Sequence, residues 1–122
     1  MNETYGIDKT IIDLDEGLGR VRGNKKVYRR MLGLFLKSAE FDALEDKLAA
    51  GDVAGAADVA HSIKGMTGNL SLVAVFDAST RLMQQLREGN ADGEAIEQYR
   101  AALRTTMETV ETLAARLDEE LA

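Results

Sequence analysis

Apolar residues recur every three or four positions along most of the chain, which is the spacing of one face of an α-helix. Four long segments carry this pattern, and we predict helices at roughly 24–50, 52–69, 71–89 and 92–121. A shorter helix is predicted after Asp13, which can cap it together with Glu16, and it should stop at Gly23. Because only short connections separate the long segments, neighbouring helices should run antiparallel. The pattern predicts one all-α domain spanning 1–122, an antiparallel up-down-up-down four-helix bundle with a short extra N-terminal helix.

Residues that favour helix starts precede three of the long segments: Asn24, Asp52 and Ser71 can each cap the helix that follows. The last helix should begin near Asp92 or Gly93. The apolar stripes of the four helices predict the core. Their members are Tyr28, Met31, Leu32, Phe35, Leu36, Leu44 and Leu48; Ala56, Val59, Ala60, Ile63, Thr67 and Leu70; Leu72, Val75, Phe76, Ser79, Leu82 and Leu86; and Ile96, Tyr99, Leu103, Met107, Val110, Leu113, Leu117 and Leu121.

Composition excludes several classes of protein. The chain has no proline, no cysteine and only six aromatic residues, which argues against a β-rich fold and removes disulfides, thiolate metal sites and cysteine nucleophiles. A net charge of −6 disfavours a nucleic-acid partner, because nucleic-acid affinity comes largely from cations that neutralise phosphates. The N-terminus lacks the order of a signal peptide, and no apolar run approaches the ~18 residues of a spanning helix. We therefore expect a cytoplasmic protein that does not bind membranes, and a monomer because no second large apolar face is evident.

The only histidine, His61, lies in the second long helix. Positions three and four apart share a helix face, so its neighbours should be Ala57, Asp58, Lys64 and Gly65, with Gly68 extending the row. At ~100° per residue, the core position Ile63 lies ~200° around the helix from His61. The imidazole should therefore point away from the bundle.

Two glycines on this face have no evident role in stability. Each glycine inside a helix costs ~1 kcal/mol relative to alanine. Gly68 lies near the predicted helix end and can help to terminate it, but Gly65 lies a full turn earlier. A functional explanation is clearance, since a helix face without side chains lets a second protein approach the imidazole.

These residue types favour phosphoryl relay. A neutral imidazole is a nucleophile that can take a group covalently and pass it on. A lysine one turn away can offset the negative charge of a phosphoryl group. The geometry of His61, Lys64 and Gly65 therefore indicates a phosphoryl carrier.

The sequence resembles the histidine-containing phosphotransfer (HPt) domain of bacterial multistep phosphorelays and hybrid sensor kinases. The resemblance rests on AHSIKG at 60–65 and GNL at 68–70, and it continues in GID at 6–8, GL at 17–18, RVRGN at 20–24, Tyr28 and LGLF at 32–35. It covers nearly the whole chain. Met66 stands where the family usually has a small residue, and Ser71 where it usually has glycine.

The resemblance implies roles for individual residues. His61 would be the phosphorylated nucleophile, through Nε2, and Lys64 would stabilise the phosphoryl group. Gly65 would leave room for the partner, and Gly68, Ala57 and Asp58 would lie in the same docking area. The partner would be a response-regulator receiver domain, possibly in a hybrid sensor histidine kinase, and that receiver would supply both the aspartate and the Mg²⁺. The chain shows no glycine-rich nucleotide-binding motif, so it should be a carrier without ATP-binding site, cofactor or metal of its own, rather than an enzyme.

Other readings of the same residues stay open. The chain could be a non-catalytic helical adaptor that only docks a receiver, or the phosphoacceptor domain of a chemotaxis-type histidine kinase. Asp58 and His61 have the spacing of a metal-ligand pair, although bundle metal sites need further inward-pointing ligands. Ile11 and Ile12 could form an exposed partner-binding surface. Six cations within eleven residues are either a solvated helix junction or a docking patch for an acidic partner: Arg20, Arg22, Lys25, Lys26, Arg29 and Arg30.

Overall fold

The computed structural model describes residues 1–122 and contains seven helices and no strand. They are α1 (Asn2–Tyr5), α2 (Leu14–Arg20), α3 (Lys25–Leu36), α4 (Glu40–Ala49), α5 (Val53–Asn69), α6 (Val73–Arg87) and α7 (Gly93–Leu121). Helix α5 packs against α4 and α6, α6 packs against α7, and α7 packs against α3. The helical bundle and the extra short helix after Asp13, which is α2, are therefore as predicted. None of the helices combines the length and apolar character needed to cross a bilayer.

The first long segment is not one helix. The prediction of a continuous helix at 24–50 is wrong, because the chain breaks between α3 and α4 at residues 37–39. Phe41 lies six positions after Phe35, so a continuous helix would place them about 120° apart. The break lets both rings face the core, where their centroids lie 5.3 Å apart in an edge-to-face contact. The Ser38 hydroxyl accepts a hydrogen bond from the N–H of Glu40, the first residue of α4.

A short N-terminal helix that the sequence pattern did not predict is held by one buried amide. The Asn2 side chain donates to the carbonyl oxygens of Ile7 and Ile12 at 3.0 and 2.6 Å, and accepts from the Leu14 N–H at 2.9 Å. Ile12 is fully buried and Ile11 is half-buried against the core. The expectation that these two isoleucines form an exposed partner surface is therefore wrong.

Helix α2 begins as predicted. Asp13 caps it by accepting a hydrogen bond from the Glu16 N–H at 3.3 Å. The helix ends at Arg20, three residues before Gly23, whose φ of 76° places it in the left-handed region where glycine is favoured.

The turn between α5 and α6 differs from the prediction. Ser71 does not cap α6. That helix begins at Val73, its N-cap residue is Leu72, and no side chain caps it. Ser71 instead has a φ of 57°, a conformation that favours glycine, and it is buried. Its hydroxyl donates to the Glu16 carboxylate at 2.9 Å, and its carbonyl accepts from the Asp13 N–H at 3.0 Å. The turn therefore joins the end of α5 to α2.

Candidate functional site

His61 lies in the middle of α5 with its side chain exposed. The helix is capped at its start by Asp52, which accepts from the Gly55 N–H at 2.9 Å. Four residues of α5 are fully buried and fix which face turns inward: Ala56, Ala60, Ile63 and Thr67. None of the ion pairs of the chain includes His61. The imidazole is therefore accessible, as the sequence pattern predicted.

The two glycines beside His61 have different surroundings. A Cβ atom added at Gly65 would meet nothing within 4 Å, and Gly65 is exposed. A Cβ atom added at Gly68 would lie 3.1 and 3.2 Å from two ring carbons of Phe76 on α6. Nothing inside the bundle therefore requires glycine at 65. At 68 the missing side chain serves packing between α5 and α6, which the sequence pattern did not indicate, and the role of Gly68 in partner clearance stays a prediction.

Lys64 lies one turn from His61 and is half-buried between α5 and α6. Its ammonium nitrogen is 5.9 Å from the centroid of the Phe76 ring, within the range of a cation–π contact. The seven ion pairs of the chain do not include Lys64, so no carboxylate oxygen lies within 4.0 Å of its ammonium group. The charge next to His61 is therefore not neutralised within the chain.

The other two predicted members of the site, Ala57 and Asp58, differ in their exposure to solvent. Ala57 is only 4% exposed and belongs to the core, so it does not present a docking surface. Asp58 is exposed and forms no ion pair. No group of three histidine, cysteine, aspartate or glutamate side chains is arranged to hold a metal ion, so Asp58 and His61 lack a third ligand.

The six cations predicted as one cluster divide into two sets. Three are paired within the chain: Arg20 with Glu16, Lys25 with Glu120 and Arg29 with Asp118. The other three, Arg22, Lys26 and Arg30, are exposed and form no ion pair. The Arg20 pair lies within α2, and the pairs of Lys25 and Arg29 tie α3 to the end of α7. Lys26 and Arg30 leave exposed positive charge on α3.

Phe76 is the residue that sequence reasoning missed. It was predicted as a core position of α6, but it is only half-buried and lies against Gly68 and Lys64. Its neighbour Val75, which was also predicted as a core position, is fully buried. The spacing of apolar residues does not distinguish the two positions.

Comparison with known families agrees with this geometry. The family model described as "Hpt domain" matches residues 30–121, about three quarters of the chain. This chain belongs to the Hpt domain family. Searches of curated proteins and of solved structures gave no significant match.

Membership in the Hpt family assigns the chain a general role. Hpt domains are phosphoryl carriers of phosphorelays and interact with receiver domains of two-component systems. The matched range contains α4 to α7 and most of α3, and so includes His61, Lys64 and Gly65. Helices α1 and α2 precede it. The Asn2 amide ties α1 to the start of α2, and Ser71 joins α2 to the matched range through the hydrogen bonds described above.

Proposed function

We propose that His61 of this Hpt domain accepts a phosphoryl group from the aspartyl phosphate of a receiver domain and passes it to the aspartate of another receiver, in the cytoplasm. The observation that carries the proposal is the combination on one helix face of an exposed imidazole, an ammonium group without a carboxylate partner, and an open position at Gly65.

The transfer needs little chemistry from the carrier. The Nε2 lone pair of the neutral ring attacks phosphorus while the proton stays on Nδ1. The N–P bond forms as the O–P bond to the receiver aspartate breaks, and the carboxylate leaves with its electron pair. The Lys64 ammonium offsets charge on the transferred oxygens. The second transfer runs the same steps in reverse towards another aspartate, and Mg²⁺ enters with the receiver.

Gly65 supports the proposal because helix stability alone does not explain it. An in-line transfer requires the receiver aspartate to approach within bonding distance of the ring, so two protein surfaces must meet closely. An exposed position without Cβ, one turn from His61, permits that approach.

The decisive experiment follows the phosphoryl group. A ³²P-phosphorylated receiver is mixed with the protein, and label on the carrier should be labile in acid and stable in alkali. His61→Gln is the matched variant because it removes the only imidazole, and circular dichroism and receiver binding show whether its surface is intact. Label that never appears, or that persists in His61→Gln, contradicts the proposal.

The same experiment separates the alternatives. An adaptor would bind the receiver without ever carrying label. A phosphoacceptor domain of a chemotaxis-type kinase would take label from ATP through a kinase catalytic domain but not from a phosphorylated receiver. Transfer from the receiver contradicts both alternatives.

A further inference from the structure

The Phe76 ring occupies the groove between α5 and α6 beside the candidate site. One side of the ring lies against the Gly68 backbone, at the distance where a Cβ would be 3.1 Å from Cε2. The Lys64 ammonium lies 5.9 Å from the ring centroid. Lys64 and Gly68 of α5 thus meet Phe76 of α6, and Lys64 is the member of this group that lies one turn from His61.

An aromatic ring is a suitable resting place for a cation that must later bind an anion. The quadrupole of the ring attracts an ammonium group without cancelling its charge. A carboxylate would hold Lys64 more firmly, but that ion pair would have to break when negative charge arrives. The weaker contact restricts where the ammonium group moves and leaves its charge available to phosphoryl oxygens.

We infer that Phe76 is a positioning residue that acts through Lys64, one turn from His61 on α5, by keeping its ammonium group over the α5–α6 groove. The inference rests on the proposed function of His61 and adds a residue outside the AHSIKG segment. It also gives Gly68 a purpose, since any side chain at 68 would displace the ring that holds Lys64.

A double-mutant cycle between Phe76 and Lys64 tests the inference. Phe76→Leu keeps an apolar side chain but removes the π-system, and Phe76→Tyr keeps both. We expect Phe76→Leu to slow phosphotransfer to His61 about two- to fivefold, the effect of an exposed cation–π contact. Phe76→Tyr should retain the wild-type rate. In a Lys64→Ala background, Phe76→Leu should cause no further slowing.

Three kinetic results would overturn the inference. Equal slowing by Phe76→Leu in both backgrounds would show that the ring acts through packing and not through Lys64. A faster transfer in Phe76→Leu would show that the ring holds the ammonium group away from the site. A Phe76→Tyr variant as slow as Phe76→Leu would show that the π-system is not what matters.

Nuclear magnetic resonance gives a readout that does not need phosphotransfer. The ε-methylene protons of Lys64 should resonate upfield of other lysines because of the Phe76 ring current, and the shift should vanish in Phe76→Leu. Absence of the upfield shift in the wild-type protein would overturn the inference. If the shift is present but His61 takes no label, the contact stands and the proposed function fails, so the two failures are distinguishable.

Discussion

Replacing Gly65 by alanine should make the protein more stable and a poorer carrier. Gly65 lies inside α5, a Cβ there would meet nothing within 4 Å, and its backbone does not have the positive φ that penalises side chains. Alanine inside a helix is favoured over glycine by about 1 kcal/mol. For a chain of 122 residues this corresponds to a rise in Tm of about 4 °C.

The effect of Gly65→Ala on transfer should have the opposite sign. The added methyl group stands on the exposed surface one turn from His61, where the proposal places the receiver. Overpacking a close contact costs about 1–3 kcal/mol, so a loss of about 1.4 kcal/mol would lower the transfer rate at subsaturating receiver about tenfold.

Two measurements decide the Gly65→Ala prediction. Thermal unfolding gives Tm, and rapid-quench transfer from a phosphorylated receiver gives the rate. The control is Gly19→Ala on α2, another position where a Cβ meets nothing within 4 Å, which should leave the transfer rate unchanged. A higher Tm with unchanged transfer in Gly65→Ala would refute clearance. An unchanged or lower Tm would refute the claim that only function explains this glycine.

Three further predictions concern other parts of the chain. Ser71→Gly should be more stable than Ser71→Ala by about 1 kcal/mol in urea unfolding, because the φ of 57° strains any residue with a Cβ, and equal stabilities would contradict this. Reversing the unpaired charges of Lys26 and Arg30 to glutamate should slow transfer at low salt and less so at high salt, and an unchanged low-salt rate would remove the docking role of α3. Hydrogen bonds from Lys25 and Tyr5 lower the pKa of Glu120 in the folded protein. The ionised Glu120 therefore stabilises the fold at pH values above its unfolded pKa of about 4.3, and this contribution is lost as the pH falls through the lowered folded pKa. The urea midpoints of wild type and Glu120→Gln should therefore differ at pH 7 and converge as the pH falls through the lowered pKa of Glu120. A difference that persists in acid would contradict this assignment.

Helix periodicity predicted most of the fold because it depends only on spacing along the chain. It placed α5, α6 and α7 within about two residues of their observed limits. It missed the break before α4, because helical spacing along the chain does not show the contact between Phe35 and Phe41 that the break permits. It missed α1 for the same reason, since the Asn2 amide is satisfied by backbone groups up to twelve residues away.

The site was predictable only as far as one helix determines it. The direction of His61 follows from its angle to the buried positions of α5, and the structure shows it exposed. The surroundings of Ala57 and Gly68 depend on α6, whose distance and side chains are invisible to a helical projection of α5. Both were therefore assigned to the surface, whereas the first is buried and the second contacts Phe76.

Stability and the proposed function are separable on one part of α5 and coupled on another. His61 and Gly65 are exposed, and a Cβ at 65 meets no neighbour, so changes there should alter transfer without unfolding the bundle. Lys64, Gly68 and Phe76 lie where α5 packs on α6, so changes there alter packing as well as the ammonium position. Loss of transfer in a His61 variant therefore reports chemistry directly. Loss of transfer in a Gly68 variant does not report chemistry directly, because a side chain at 68 displaces the Phe76 ring. Comparison with a Phe76→Leu variant of matched stability is needed to assign the cause of that loss.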